Sequence, residues 1–178
     1  MYLKFLAMLC MAFLLFGTIS DKISPRLEQK FYAAIKTSYT IEEFALEAVL
    51  PDSETNSITP SSLGEDNLFK VFHKDSLIGF AYLGQAPSMK NVFDYVVLFN
   101  SDFSIKKSKV LIYREDYGRQ IGSQRWLKQF VGLAPQHEII YGETIDAISG
   151  ATISAKSMTK AISEILFSVE ILQERKFL

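Results

Sequence analysis

Asp146-Ala147-Ile148-Ser149-Gly150-Ala151-Thr152 is followed by Ile153-Ser154 and then by a run whose apolar positions are Met158, Ala161, Ile162, Ile165, Leu166, Val169 and Leu172. That three-and-four spacing predicts an amphipathic helix of roughly four to five turns from Ala155 onward. A helix start carries unpaired N–H groups and a partial positive charge, and the two together suit a phosphate. Gly150 lets the backbone turn tightly or approach a ligand, Ala151 adds almost no bulk, and Thr152 sets a hydroxyl beside the anion position. The plain alternative is an ordinary cap, in which Ser149 or Thr152 satisfies local N–H groups for about 0.5–2 kcal/mol.

Working outward, the 178 residues make one domain of ordinary size, with room for a real core. Net charge is −1, and removing residues 1–20, whose only charged residue is Lys4, leaves −2. Without a basic excess, nucleic acid is not an expected partner. The single cysteine, Cys10, lies in the N-terminal apolar run, so disulfides, iron–sulfur ligation, thiolate zinc and cysteine nucleophiles are excluded beyond residue 20. Two histidines, His73 and His137, cannot build a multi-histidine metal site.

Residues 1–20 read as a short n-region with Lys4, an uncharged run from Phe5 to Ser20, and a small-x-small end at Thr18-Ile19-Ser20. This pattern fits an export signal. The rival is a retained membrane anchor through residues 5–20, although that run falls short of the roughly 20 apolar residues of a spanning helix. Cys10, preceded by Leu9 and followed by apolar residues, is a poor lipoprotein site. In either case the rest of the chain is expected outside the cytoplasm, in the periplasm or on the outer face of the cytoplasmic membrane.

Residues 21–67 are expected to form N-terminal helices and an exposed loop. Ser24-Pro25 predicts a capped helix start, with Leu27, Phe31, Ala34 and Ile35 on one face. Thr40-Ile41-Glu42-Glu43 matches a capping box and predicts a second helix carrying Phe44, Leu46 and Val49 and ending near Pro51. Asp52 to Asn67 reads as an exposed loop. Strand-like runs Leu68–His73 and Leu77–Gly84 flank the turn Lys74-Asp75-Ser76, and Phe93–Phe99 and Ile105–Tyr113 flank Asn100–Ser104, giving two antiparallel hairpins. Ser123 is expected to cap a helix with Trp126, Leu127, Phe130 and Val131, stopped by Gly132. The fold class that follows is α+β, an antiparallel sheet packed by helices.

The Asp-x-x-Ser-Gly-Ala-Thr segment resembles that of the FMN-binding domain family, whose members include flavin-bearing components of the sodium-pumping NADH:quinone oxidoreductases and of the Rnf electron-transport complexes. Small stand-alone exported or anchored proteins carry the domain too. The resemblance spans Leu68 to Leu172, within a domain expected over residues 68–178, and includes Ile78-Gly79-Phe80-Ala81-Tyr82 and the aromatic-Leu-x-Gln-Phe-x-Gly run from Trp126 to Gly132. It implies FMN joined through its phosphate to Thr152 as a phosphoester. The linkage would be made by a flavin transferase that uses FAD and a divalent metal. Asp146, Ser149, Gly150 and Ala151 complete the recognition sequence, with Asp146 read by the transferase, and the N–H groups near Ile153 and Ser154 hold the phosphate. Two departures stand out. The family's Glu-Thr-Pro-Gly loop is here Glu115-Asp116-Tyr117-Gly118, and its Thr-Ser after the acceptor is Ser154-Ala155. The resemblance implies that Glu115 shapes the loop near the flavin ring. Tyr117 is either an apolar wall in place of the proline or an ordinary exposed loop tyrosine, and Trp126 reads as core.

The function so implied is an exported electron carrier working between membrane or periplasmic redox proteins, because the chemistry belongs to the flavin and the protein supplies position and electrostatics. Two rivals come from other classes. One is an exported binding or scaffold module of the same fold that has lost flavin. The other is an acyl transferase built on Ser157-Met158-Thr159-Lys160, a Ser-x-x-Lys tetrad, although the chain has neither Ser-Asp-Asn nor Lys-Thr-Gly.

Overall fold

A computed structural model describes residues 23–178. The expected signal or anchor, residues 1–20, lies outside the described residues, and so does Cys10. Among the described residues no helix is long and apolar enough to cross a membrane.

Five strands form one antiparallel meander in the order β1-β2-β3-β4-β5: β1 Ala45–Ala48, β2 Leu68–His73, β3 Ser76–Pro87, β4 Val92–Phe99 and β5 Ile105–Ile112. The α+β class and both expected hairpins are present. His73 pairs with Ser76, so the first turn is only Lys74-Asp75, both in the left-handed region at φ 49° and 64°. Two such residues twist the chain in the sense that a right-twisted hairpin needs.

The sheet is covered on both faces. Helix α1, Pro25–Tyr39, lies across β4 and β5 on one side, and α4, Thr152–Glu174, lies against β3 on the other. Alternation along the strands sorts side chains between two cores. Phe80, Tyr82, Phe93, Tyr95, Val97 and Phe99 join Met158, Ile162, Ile165, Val169 and Leu172 of α4. Ala81, Leu83, Val96 and Leu98 join Leu27, Phe31, Ala34 and Ile35 of α1. Burying each large apolar side chain contributes about 1.5–3 kcal/mol, so the two helices fasten the meander from opposite sides. This double burial also explains why Val92–Phe99 reads as an almost unbroken apolar run rather than an alternating one.

Three sequence expectations are corrected. Residues 40–51 do not form a second helix: Thr40 takes φ 58°, ψ 50° and terminates α1, and Ala45–Ala48 become edge strand β1, paired with Phe69–Phe72 of β2. Pairing with a strand more than twenty residues away outweighs the local capping-box pattern. The expected loop contains a six-residue helix, α2 Ser53–Ile58, capped by Asp52, whose carboxylate accepts from the Thr55 amide at 2.7 Å. Finally, α4 is longer than its apolar spacing suggests, running 23 residues from Thr152 itself.

Candidate functional site

The site is the start of α4 and the loops that hold it. Gly150 has φ 78°, a left-handed conformation that a side chain disfavours, and it swings the chain from Ser149 into the helix. Ala151 occupies the N-cap position and is buried. A methyl group provides no capping acceptor, and the first turn contains no acidic residue. The first helical bond runs from the Ala155 amide to the Ala151 carbonyl at 2.9 Å. The amides of Thr152, Ile153 and Ser154 precede that bond, and among the described residues none of them has a hydrogen-bond partner. Ser149, Gly150, Thr152 and Ile153 flank the opening, and all four are exposed. The Thr152 hydroxyl makes a single long contact, donating to the Ile148 carbonyl at 3.4 Å. The ordinary-cap reading is therefore not what the geometry shows, because no side chain caps this helix. Free amides, a positive helix end and an unencumbered hydroxyl fit a phosphate ester.

Everything around this opening is pinned. Ser154 is buried, with its hydroxyl 2.9 Å from that of Tyr113 just beyond β5, and Ser157 donates to the Pro87 carbonyl at the end of β3. Gly118, at φ 77°, is pressed against the Ser149–Thr152 turn: a Cβ there would lie 3.1 Å from the Gly150 carbonyl oxygen and 2.8 Å from the Tyr113 hydroxyl. That contact explains the glycine that closes Glu115-Asp116-Tyr117-Gly118. Glu115 opens the same loop and ties it down from the other side. Its carboxylate accepts from the Ser88 hydroxyl at 2.6 Å and from the Lys90 and Asn91 amides at 2.7 and 2.9 Å. These bonds, the Ser88 hydroxyl first, hold its pKa down from 4.5 to about 2. Arg114, just before it, reaches the buried Asp94 carboxylate at 2.6 Å and the Val92 carbonyl at 2.9 Å. Tyr117 lies at the outer edge of this loop with 86% of its surface exposed.

On the far side of the Ser149–Thr152 turn, Trp126 is core, 5% exposed and edge-on to Phe130. Its indole N–H donates to the Asp146 carbonyl at 2.7 Å, and the Gln129 side chain accepts from the Asp146 amide at 2.9 Å. The backbone of Asp146 is thus fixed. Its side chain is solvent-exposed and, among the described residues, engages no partner. Trp126 belongs to α3, Gln124–Leu127, which continues as a 3-10 turn, Lys128–Phe130. Ser123 stands at the start of α3 as expected, but its side chain makes no capping bond.

The structure therefore gathers Ser149 to Ser154 at the start of α4, with Gly118 of the Glu115–Gly118 loop against Gly150 and Asp146 in the adjoining pocket. Sequence reasoning missed Tyr113 and Ser88, which hold α4 and the loop, and it missed Gln120, Ser123 and Arg125. These last three line a pocket of about 290 Å³ with Trp126, Gln129, Asp146, Ala147 and Ile148. The sequence marks Ser123 only as a helix start and gives no signal at Gln120 or Arg125, because they lie between two motifs and matter only through where the loop lands.

The Ser157–Lys160 tetrad is not a catalytic pair. Ser157 is spent on the Pro87 and Ser154 carbonyls, and the Lys160 ammonium pairs with Glu164 one turn on. Among the described residues no cluster of three or more metal-ligating side chains occurs.

Residues 90–166 match the family model of the FMN-binding domain. The match takes in β4, β5, the Glu115–Gly118 loop, the Ser149–Thr152 turn and most of α4. A comparison with curated proteins gave no match.

Proposed function

We propose that residues 90–166, which match the family model of the FMN-binding domain, hold FMN covalently, through its phosphate, on the Thr152 hydroxyl. We further propose that the exported protein relays electrons between membrane or periplasmic redox partners. The observation that carries this reading is the uncapped start of a 23-residue helix directly beneath an exposed threonine hydroxyl. Chains normally satisfy such amides with a neighbouring Ser, Thr, Asp or Asn. Here they are left for an anion.

The chain's own residues divide the work. The amides of Thr152, Ile153 and Ser154 hold the phosphate oxygens. Gly150 and Ala151 keep the approach free of bulk, Gly118 buttresses the turn, and Glu115 fixes the loop that carries Gly118. Asp146, with its backbone pinned by Trp126 and Gln129, presents a carboxylate for the attaching transferase and its divalent metal to read. When bound, the isoalloxazine supplies one- and two-electron chemistry that no side chain here provides. An exposed tether favours exchange with a docked protein over a reaction on an enclosed small substrate. Residues 1–20 supply the export signal or anchor.

The test is co-expression with an FAD-dependent flavin transferase followed by intact-mass measurement. The wild-type chain gains the mass of FMN less one water. Thr152→Val stays unmodified, while its stability changes by no more than about 0.5 kcal/mol because the residue is exposed. Flavin still attached to the valine variant contradicts the assignment. An unmodified, colourless wild-type chain favours a scaffold role instead.

A further inference from the structure

The pocket beside the acceptor turn has a composition that phosphate binding does not use. Its lining combines the apolar surfaces of Trp126, Ala147 and Ile148 with the polar side chains of Gln120, Ser123, Arg125, Gln129 and Asp146. It is contiguous with the attachment point, since the Thr152 hydroxyl bonds to the carbonyl of Ile148, itself a wall of the pocket. The Gln120 amide nitrogen also lies 3.7 Å from where a Cβ on Gly150 would stand. Four of the polar side chains around it have unspent capacity. Among the described residues Gln120, Ser123 and Arg125 make no side-chain hydrogen bond or ion pair, and neither does the Asp146 carboxylate. Gln129, in contrast, is committed to Asp146 and Trp126.

A flat ring system with one polar edge matches such a lining. The pyrimidine edge of an isoalloxazine alternates acceptor, donor and acceptor. Gln120 and Arg125 can donate to the two carbonyls, and Asp146 or the Gln120 carbonyl can accept from the N–H between them. Uptake of two electrons and one proton leaves one negative charge at that edge, so a neighbouring guanidinium favours the reduced form. We propose that this pocket seats the ring of the FMN carried at Thr152, and that Arg125 raises its reduction potential by facing the pyrimidine edge. The inference rests on the attachment reading above and adds to it the residues that orient the ring. It also gives a structural purpose to Gln120 and Arg125, whose polarity the fold itself does not use.

The experiment is a dithionite titration against indicator dyes, followed by flavin absorbance, on chains first shown by mass to carry FMN. Arg125 is exposed, so its substitution leaves the fold intact. Arg125→Gln should make reduction about tenfold less favourable, a shift of about 30 mV to more negative potential for a two-electron couple. Arg125→Lys should recover most of that shift. Arg119→Gln removes an equal charge from the neighbouring 3-10 turn, outside the pocket, and should move the midpoint far less. A midpoint indifferent to Arg125, or one moved equally by Arg119, overturns the inference while leaving the attachment at Thr152 standing. A wild-type chain that takes up no FMN contradicts both, and the mass spectrum tells the two failures apart.

Discussion

At the start of α1, Ser24 accepts a hydrogen bond from the Leu27 amide, Pro25 fills the first helical position and Glu28 stands in the first turn. At the start of α4 none of these devices is present: the cap is an alanine, no side chain turns back, and no acid stands in the first turn. Both helices are long, both bury an apolar face against the same sheet, and both belong to one chain under one set of physical rules. The difference lies in what each terminus must do. The first helix finishes its own hydrogen bonding because nothing else will. The second is held in place by surrounding contacts instead, from Tyr113, Pro87 and Gly118, and so keeps its amides free. An open helix end is tolerable when the helix is fixed by its sides and by its core face.

That contrast can be broken at its supports. Gly118→Ala should have the largest effect, because it adds left-handed backbone strain of about 1–2 kcal/mol to crowding against Tyr113 and the Gly150 carbonyl worth about 1–3 kcal/mol. Chemical denaturation should show the loss, and flavin attachment should fall with it as the acceptor turn is pushed away. Glu115→Gln should come next. The folded carboxyl titrates near 2, below its ordinary 4.5, so its stabilising contribution is complete above about pH 4.5 and disappears as the pH falls through about 2. The wild-type chain should therefore be more stable than the variant at neutral pH, and the gap should close on acidification. A gap independent of pH contradicts the carboxylate's role as anchor.

Two smaller changes sharpen the comparison directly. Ser24→Ala should cost about 1 kcal/mol, the ordinary value of a side-chain cap, with no effect on flavin attachment. Ile153→Glu places an acid in the bare first turn of α4. It should raise the stability of the unmodified chain by about 0.3–1 kcal/mol and slow flavin attachment, because the new carboxylate competes for the same amides. Equal thermodynamic responses to acids at the two helix starts would mean that α4 is not open after all.

Much of this architecture was legible in the sequence, and the misses have a common cause. Local signals were strong where a segment's own chemistry decides its shape. Ser24-Pro25 opened a helix, the strand runs of both hairpins formed, and the apolar stripe from Met158 to Leu172 became the core face of α4. The turn before α4 was legible as a helix start, with Gly150 in the left-handed region it needs, whereas its reading as a flavin attachment point came from the family resemblance. Failures came where a distant partner overrides local preference. Thr40-Ile41-Glu42-Glu43 looks like a helix start, yet pairing with β2 makes the following residues a strand. Asp52–Ile58 carries no apolar periodicity, yet forms a short helix that Asp52 caps and whose Asn56 side chain bonds to Leu63. The pocket was invisible for the same reason, since Gln120 and Arg125 come to line one cavity with Asp146 only through the folded path of the intervening chain.

The most direct test of the central claim is the intact mass, with peptide mapping, of the chain recovered from cells in which a flavin transferase is active. The account predicts one FMN, less water, located on the peptide containing Thr152. Recovery of the chain unmodified, or with flavin on any other residue, contradicts it.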